Sequence, residues 1–192
     1  MENQLIIFAK NPVLGKVKTR LAATVGNEKA LAIYKELLNH TCDISSKANA
    51  KKTVFYSDAI EKEDLWSKAD FNQSLQNGED LGARMSNAFK EVFSECDGKV
   101  IIIGTDCKEL STEIIDQAFN ALQYVDIVLG PALDGGYYLI GMKSLEEVLF
   151  TNIDWSTSAV LEQTVGKINT QKLSFLLLKV LSDIDTEEDL KR

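Results

Sequence analysis

Short, almost wholly apolar runs recur along the chain, each followed by a stretch whose apolar residues fall at helical spacing. This alternation limits the possible folds more than any other feature. Gln4–Ala9 is such a run and stops abruptly at Lys10-Asn11-Pro12, while Lys99–Ile103 reads as a central strand buried on both faces. Thr53–Tyr56, Asp126–Gly130, Tyr137–Met142 and Leu173–Leu181 read as further strands, with a short extended piece near Asn72–Leu75. Helical stretches are expected at Glu28–Thr41, near Ile60–Lys68, at Leu81–Cys96, at Thr112–Leu122 with Ser111 as N-cap, at Leu145–Phe150, at Ser158–Ile168 and from Glu187. Strands and helices in this order predict an α/β fold, a largely parallel sheet covered by helices on both faces. In such sheets ligands bind at the carboxyl ends of the strands, so the polar clusters that follow strands carry the functional argument.

Composition narrows the classes. The length of 192 residues fits one domain spanning 1–192, and the apolar and charged shares, 45% and 26%, are those of an ordinary globular protein. A net charge of −8 argues against a nucleic-acid binder, yet Lys10, Lys16, Lys18 and Arg20 stand together with no acid among them. No apolar run is long enough to span a bilayer. Neither a signal-peptide pattern nor a disulfide pattern is present, and the cytoplasm is the expected compartment. His40 is the only histidine, which excludes a Ser-His-Asp triad or a zinc site built on several histidines. Chemistry is left to carboxylates, lysines, arginines and a hard metal.

Five clusters stand out. Lys10 to Arg20, directly after the first strand, could cradle a di- or triphosphate: Gly15 allows close backbone approach, Arg20 a bidentate grip, and Lys10 and Lys18 mobile point charges. The spacing matches neither the Walker loop nor a Gly-x-Gly-x-x-Gly fingerprint. Asp106, in Gly104-Thr105-Asp106-Cys107 after the most apolar strand, sits where a divalent ion would bridge phosphate oxygens. Asp134-Gly135-Gly136-Tyr137 is either a close-approach substrate loop or a plain turn between two strands. Asp183 and Asp185 would share one face of an extended segment and serve as further metal ligands, or Asp185 or Thr186 would cap a short helix. Arg84, in the first turn of a helix, opposes the helix dipole and so has another purpose, either substrate binding or pairing with Glu79 or Asp80. Cys107 adjoins the metal position without an evident means of lowering its pKa.

With these residues in view, the sequence resembles a bacterial family of nucleotide-diphospho-sugar transferase-like proteins described as glycosyltransferases. That family is related to phospholactate guanylyltransferases and molybdenum-cofactor nucleotidyltransferases. The matching stretches are Phe8-Ala9-Lys10-Asn11-Pro12 with Gly15, Lys18-Thr19-Arg20-Leu21, Gly82 with Arg84-Met85, and Gly104-Thr105-Asp106-Cys107. Leu133-Asp134-Gly135-Gly136-Tyr137-Tyr138-Leu139-Ile140-Gly141 and Asp183-Ile184-Asp185-Thr186 with Glu188-Asp189-Leu190 complete the series. Lys108 departs from the family, which usually has proline there. The resemblance implies a three-layer α/β/α GT-A-like fold with a mostly parallel seven-stranded sheet containing one antiparallel strand. It also implies Asp106 and an acid at 183 or 185 as ligands of Mg²⁺ or Mn²⁺, and the first loop as the phosphate site.

Three functions fit. The first, by a narrow margin, is glycosyl transfer from a nucleotide sugar to a small-molecule acceptor, with Asp134 orienting or deprotonating the acceptor hydroxyl. The second is nucleotidyl transfer, joining a nucleoside triphosphate to a phosphorylated small molecule with release of pyrophosphate, with Lys18 stabilising phosphate charge. The third is a non-catalytic nucleotide-binding module. The oligomeric state is not legible.

Overall fold

A computed structural model describes residues 2–191. The elements run β1 (Gln4–Ala9), α1 (Thr19–Val25), α2 (Asn27–Lys47), β2 (Lys51–Tyr56), α3 (Leu65–Lys68), β3 (Asn72–Leu75), α4 (Leu81–Phe93), β4 (Val100–Ile103) and α5 (Thr112–Ala121). There follow β5 (Ile127–Pro131), β6 (Tyr137–Met142), a 3-10 turn (Glu147–Phe150), α6 (Val160–Thr170), β7 (Phe175–Leu177) and a second 3-10 turn (Asp189–Lys191). The strands form one seven-stranded sheet in the order β3-β2-β1-β4-β6-β5-β7. β6 runs antiparallel to both β4 and β5, and every other pairing is parallel. This is the GT-A-like sheet that the resemblance implies.

Alternation along the central strands builds the three layers. Leu5, Ile7, Ala9, Ile101 and Ile103 enter one core with residues of α2, α3 and α5. Ile6, Val100 and Ile102 enter the other, with Met85, Ala88, Phe89 and Val92 of α4, Phe150 and Ile168. β4 is buried at every position because both of its faces are covered, as its unbroken apolar run requires.

Several boundaries differ from the sequence expectation. α2 continues to Lys47, and α1 forms where a loop was expected, so Thr19 and Arg20 belong to a helix. Only Leu65–Lys68 of the charged stretch is helical, started by Asp64, whose side chain accepts from the N–H groups of Trp66 and Ser67. Ser111 stands at the N-cap of α5 without a side-chain capping bond. The expected run at 173–181 keeps only three strand residues, but the chain continues extended and bridges Ala132 at Leu181. Among the described residues no helix is long and apolar enough to cross a membrane.

Gly82 shows how tightly α4 is seated, because a Cβ there would lie 2.4 Å from Nε1 of Trp155. Glycine is a poor helix former, so Gly82→Ala should favour helix by about 1 kcal/mol. Overpacking against the indole costs about 1–3 kcal/mol and is expected to win. We therefore predict a lower urea midpoint and a red-shifted tryptophan emission as Trp155 is displaced into water. An unchanged spectrum and midpoint would contradict this packing.

Candidate active site

The loop after β1 is fixed by two side chains. Asn11 is buried; its amide donates to the Ala59 carbonyl (2.8 Å), and its oxygen accepts from the backbone N–H groups of Asp58 (3.1 Å) and Ala59 (3.3 Å). Tyr34 of α2 accepts from the Lys10 N–H (2.9 Å) and donates to the Lys10 carbonyl (3.1 Å), and its oxygen lies 3.3 Å from Thr105 Oγ1. One buried phenol thus ties the loop after β1 to the loop after β4, and burial pushes its pKa well above the ordinary phenol value.

The C-terminal segment reaches the same place through main-chain bonds. Leu178 N–H donates to Leu129 O (2.8 Å), Leu181 N–H to Pro131 O (3.1 Å) and Ile184 N–H to Asp106 O (2.9 Å). With Ile184 buried between them, Asp183 and Asp185 flank Asp106, and all three line a pocket of about 460 Å³ with Asp134 and Gly136. Lys10, Arg20 and Tyr34 line it as well, and its apolar walls include Phe8, Met85, Ile140, Tyr137 and Trp155.

Lys18 dominates the electrostatics. Its side chain is only 4% exposed, and its ammonium lies 2.8 Å from Asp106 Oδ1 and 3.0 Å from Asp185 Oδ1. Burial works against that charge, but the two carboxylates outweigh it and the ammonium pKa rises above its ordinary value. Arg20 Nη2 holds the other oxygen of Asp185 at 2.9 Å, from a side chain that is 72% exposed. Asp183, half-buried near Asp106 and Asp134, is pushed up to about 7 by loss of solvent first and by those carboxylates second. Cys107 is pushed up to about 12 by burial and by Asp183, so it is no thiolate nucleophile at neutral pH.

Lys18 and Arg20, expected from sequence as a mobile point charge and a bidentate grip for phosphate, both pair with Asp185 in this structure. Arg84 is not among the residues that line the pocket, and its Nε donates to the Gly78 carbonyl at 3.1 Å, across the turn before α4. Gly15 also lies off the lining. Gly135 is structural: its φ of +90° and the Ser158 oxygen, 2.2 Å from any added Cβ, exclude a side chain there. Asp134 Oδ1 accepts the Gly136 N–H at 2.9 Å, the turn geometry weighed from sequence, while still facing the pocket. Asp185 does not cap the following turn; Asp189 accepts from the N–H groups of Asp185 and Thr186 instead. Sequence reasoning missed Tyr34, Gln76 and Trp155-Ser156-Thr157-Ser158 as pocket residues. Only the indole next to three hydroxyl residues could have flagged the last group.

A hard divalent cation suits these donors. Among the described residues no three acid, histidine or cysteine side chains converge closely enough to hold an ion by themselves. Mg²⁺ needs only one or two protein carboxylates when phosphate and water complete its shell, and the Lys18 ammonium already marks a cation position between Asp106 and Asp185.

Residues 41–157 match the model of the family described as "Uncharacterized protein conserved in bacteria (DUF2064)". The chain belongs to this family. A solved structure from Desulfovibrio desulfuricans G20, provisionally named a nucleotide-diphospho-sugar transferase, is 34% identical to it with a TM-score of 0.90, over 98% of this chain and 84% of that one. Two curated relatives are 2-phospho-L-lactate guanylyltransferases. The protein from Methanocaldococcus vulcanius is 26% identical over 97% of this chain and 82% of its own length. That from Methanocaldococcus jannaschii is 25% identical over 96% and 80%. A cytidylyltransferase from Leptospira borgpetersenii, 16% identical with a TM-score of 0.58 over 99% of this chain and 84% of that one, shares the fold.

Asp183 makes the acid cluster testable through stability. Its folded pKa lies above the unfolded value near 4, so its contribution is fully present at low pH and lost as pH rises toward 7. In EDTA, Asp183→Asn is expected to raise the melting temperature at pH 8 by several degrees, and to change it little at pH 4. Equal effects at both pH values would show that Asp183 is not held against its charge.

Proposed function

We propose that this protein is a nucleotidyltransferase that joins a nucleoside triphosphate to a phosphorylated small molecule and releases pyrophosphate. Transferase chemistry is what the named relatives share, and both curated ones are guanylyltransferases. The observation that carries the choice is the convergence of Lys10, Lys18 and Arg20 with Asp106 and Asp185 on one pocket edge, a charge pattern suited to a polyphosphate. Asp134 supports it from the other side, because one of its oxygens is committed to its own turn.

In this reading Lys10 and Arg20 hold the phosphate chain, and Lys18 balances charge on the oxygens that become pyrophosphate. An oxygen of the acceptor phosphate attacks the α-phosphorus, the bond to the bridging oxygen breaks, and pyrophosphate leaves with the electron pair. The attacking oxygen is already ionised, so no general base is required. Asp106 and Asp185 are the residues that would hold Mg²⁺ or Mn²⁺, and the ion would supply neutralisation of phosphate charge. The apolar walls offer a surface for the non-phosphate parts of the substrates. Glycosyl transfer, the first choice on sequence alone, ranks second, because it asks of Asp134 a base role that its turn bond opposes.

A coupled pyrophosphate-release assay with each nucleoside triphosphate and a panel of phosphorylated small acids and sugars tests the proposal. Release should require both substrates and a divalent ion. Lys18→Ala should lower turnover about 100-fold or more, whereas Asp134→Asn should stay within about threefold of wild type. Sugar transfer from a nucleotide sugar that Asp134→Asn abolishes would overturn the proposal.

A further inference from the structure

Lys18 sits where a mobile phosphate ligand would not be expected. Its backbone is left-handed, with φ 49° and ψ 44°, immediately before α1. A non-glycine residue holds that conformation only where its surroundings impose it. The Lys18 ammonium has two carboxylate partners from distant parts of the chain, the loop after β4 and the C-terminal segment. The two oxygens it contacts are hard donors that a divalent ion would use, and an ion binding both would lie inside the space the ammonium fills.

We propose that the Lys18 ammonium and a divalent cation are alternative occupants of the position between Asp106 and Asp185, so that the ion enters only together with a phosphate chain that draws Lys18 away. A second cavity of about 120 Å³ adjoins this position and is lined by Lys10, Lys16, Thr19 and Arg20 as well as by Lys18 and both aspartates. A phosphate there gives Lys18 a new anionic partner without the side chain crossing open water. The carboxylates exchange an ammonium for an ion, and Lys18 exchanges carboxylates for phosphate oxygens, so every charge stays paired. Linkage makes the effect reciprocal: the nucleotide raises metal affinity by the factor by which metal raises nucleotide affinity. The proposal rests on reading the basic loop as the phosphate site.

Manganese binding to the full chain without nucleotide, read by the loss of the free Mn²⁺ electron paramagnetic resonance signal, isolates the exchange from chelation by the triphosphate. Wild type is expected to show no saturable site below about millimolar Mn²⁺, and Lys18→Met to bind at least about tenfold more tightly, within the usual range of such couplings. Adding Asp185→Asn to Lys18→Met should remove the gain. Lys18→Gln, which keeps a hydrogen-bond donor without the charge, should also gain affinity and serves if the methionine variant does not fold, as judged by circular dichroism. Tight Mn²⁺ binding to wild type alone, or no gain in a folded Lys18 variant, would overturn the proposal. Both results stand apart from turnover, so the absence of pyrophosphate release would count against nucleotidyl transfer and leave this test intact.

Discussion

A single buried ammonium, shared by Asp106 and Asp185, holds the functional edge of the sheet together. Without it, or a cation in its place, acids from two loops would face one another at short range in a partly dehydrated pocket and repel each other. Breaking such a pair by removing one partner costs far more than the pair contributes in net stability, so the cluster constrains the fold even where it does not strengthen it. The neighbouring bonds serve the same edge. The Ile184 N–H on the Asp106 carbonyl brings the C-terminal acids into place, and Tyr34 ties Lys10 to Thr105.

The sheet itself was legible because burial on both faces leaves a plain mark in sequence. Lys99–Ile103 and Gln4–Ala9 read as strands with nearly their observed limits, and polar residues soon after them, Asp106 and Lys10 among them, reach the pocket. The face shared by Asp183 and Asp185 also followed from extended geometry. What could not be read was which charges meet. Lys18 and Asp185 are 167 residues apart, and nothing local distinguishes a lysine that pairs with a distant carboxylate from one awaiting a phosphate. Arg84 is a similar case: a cation opposing a helix dipole was expected to bind substrate or pair with Glu79 or Asp80, and its Nε instead donates to the Gly78 carbonyl six residues back. The Trp155 wall depends on a close approach to Gly82, a contact between distant segments that no periodicity announces.

These features give the pocket two chemical characters. Cations and carboxylates gather where the loops after β1 and β4 meet the C-terminal segment, and the apolar walls Phe8, Met85, Ile140, Tyr137 and Trp155 belong to the α4 side of the core. Under the proposed function the charged part would take the phosphates and the apolar walls the rest of the substrates. Asp134, folded into its own turn, lies at the border of the two. Phosphoryl chemistry asks for charge balance and position more than for a base, and the paired charges of Lys18, Arg20, Asp106 and Asp185 are the observation behind the proposed reaction.

The account stands most directly on how metal governs nucleotide recognition, which equilibrium calorimetry on the wild-type protein measures. Nucleoside triphosphates are predicted to bind at least about tenfold more tightly with Mg²⁺ than in EDTA, and more tightly than any nucleotide sugar under the same conditions. Binding of a nucleotide sugar in preference to every triphosphate, or triphosphate binding indifferent to Mg²⁺, would contradict it.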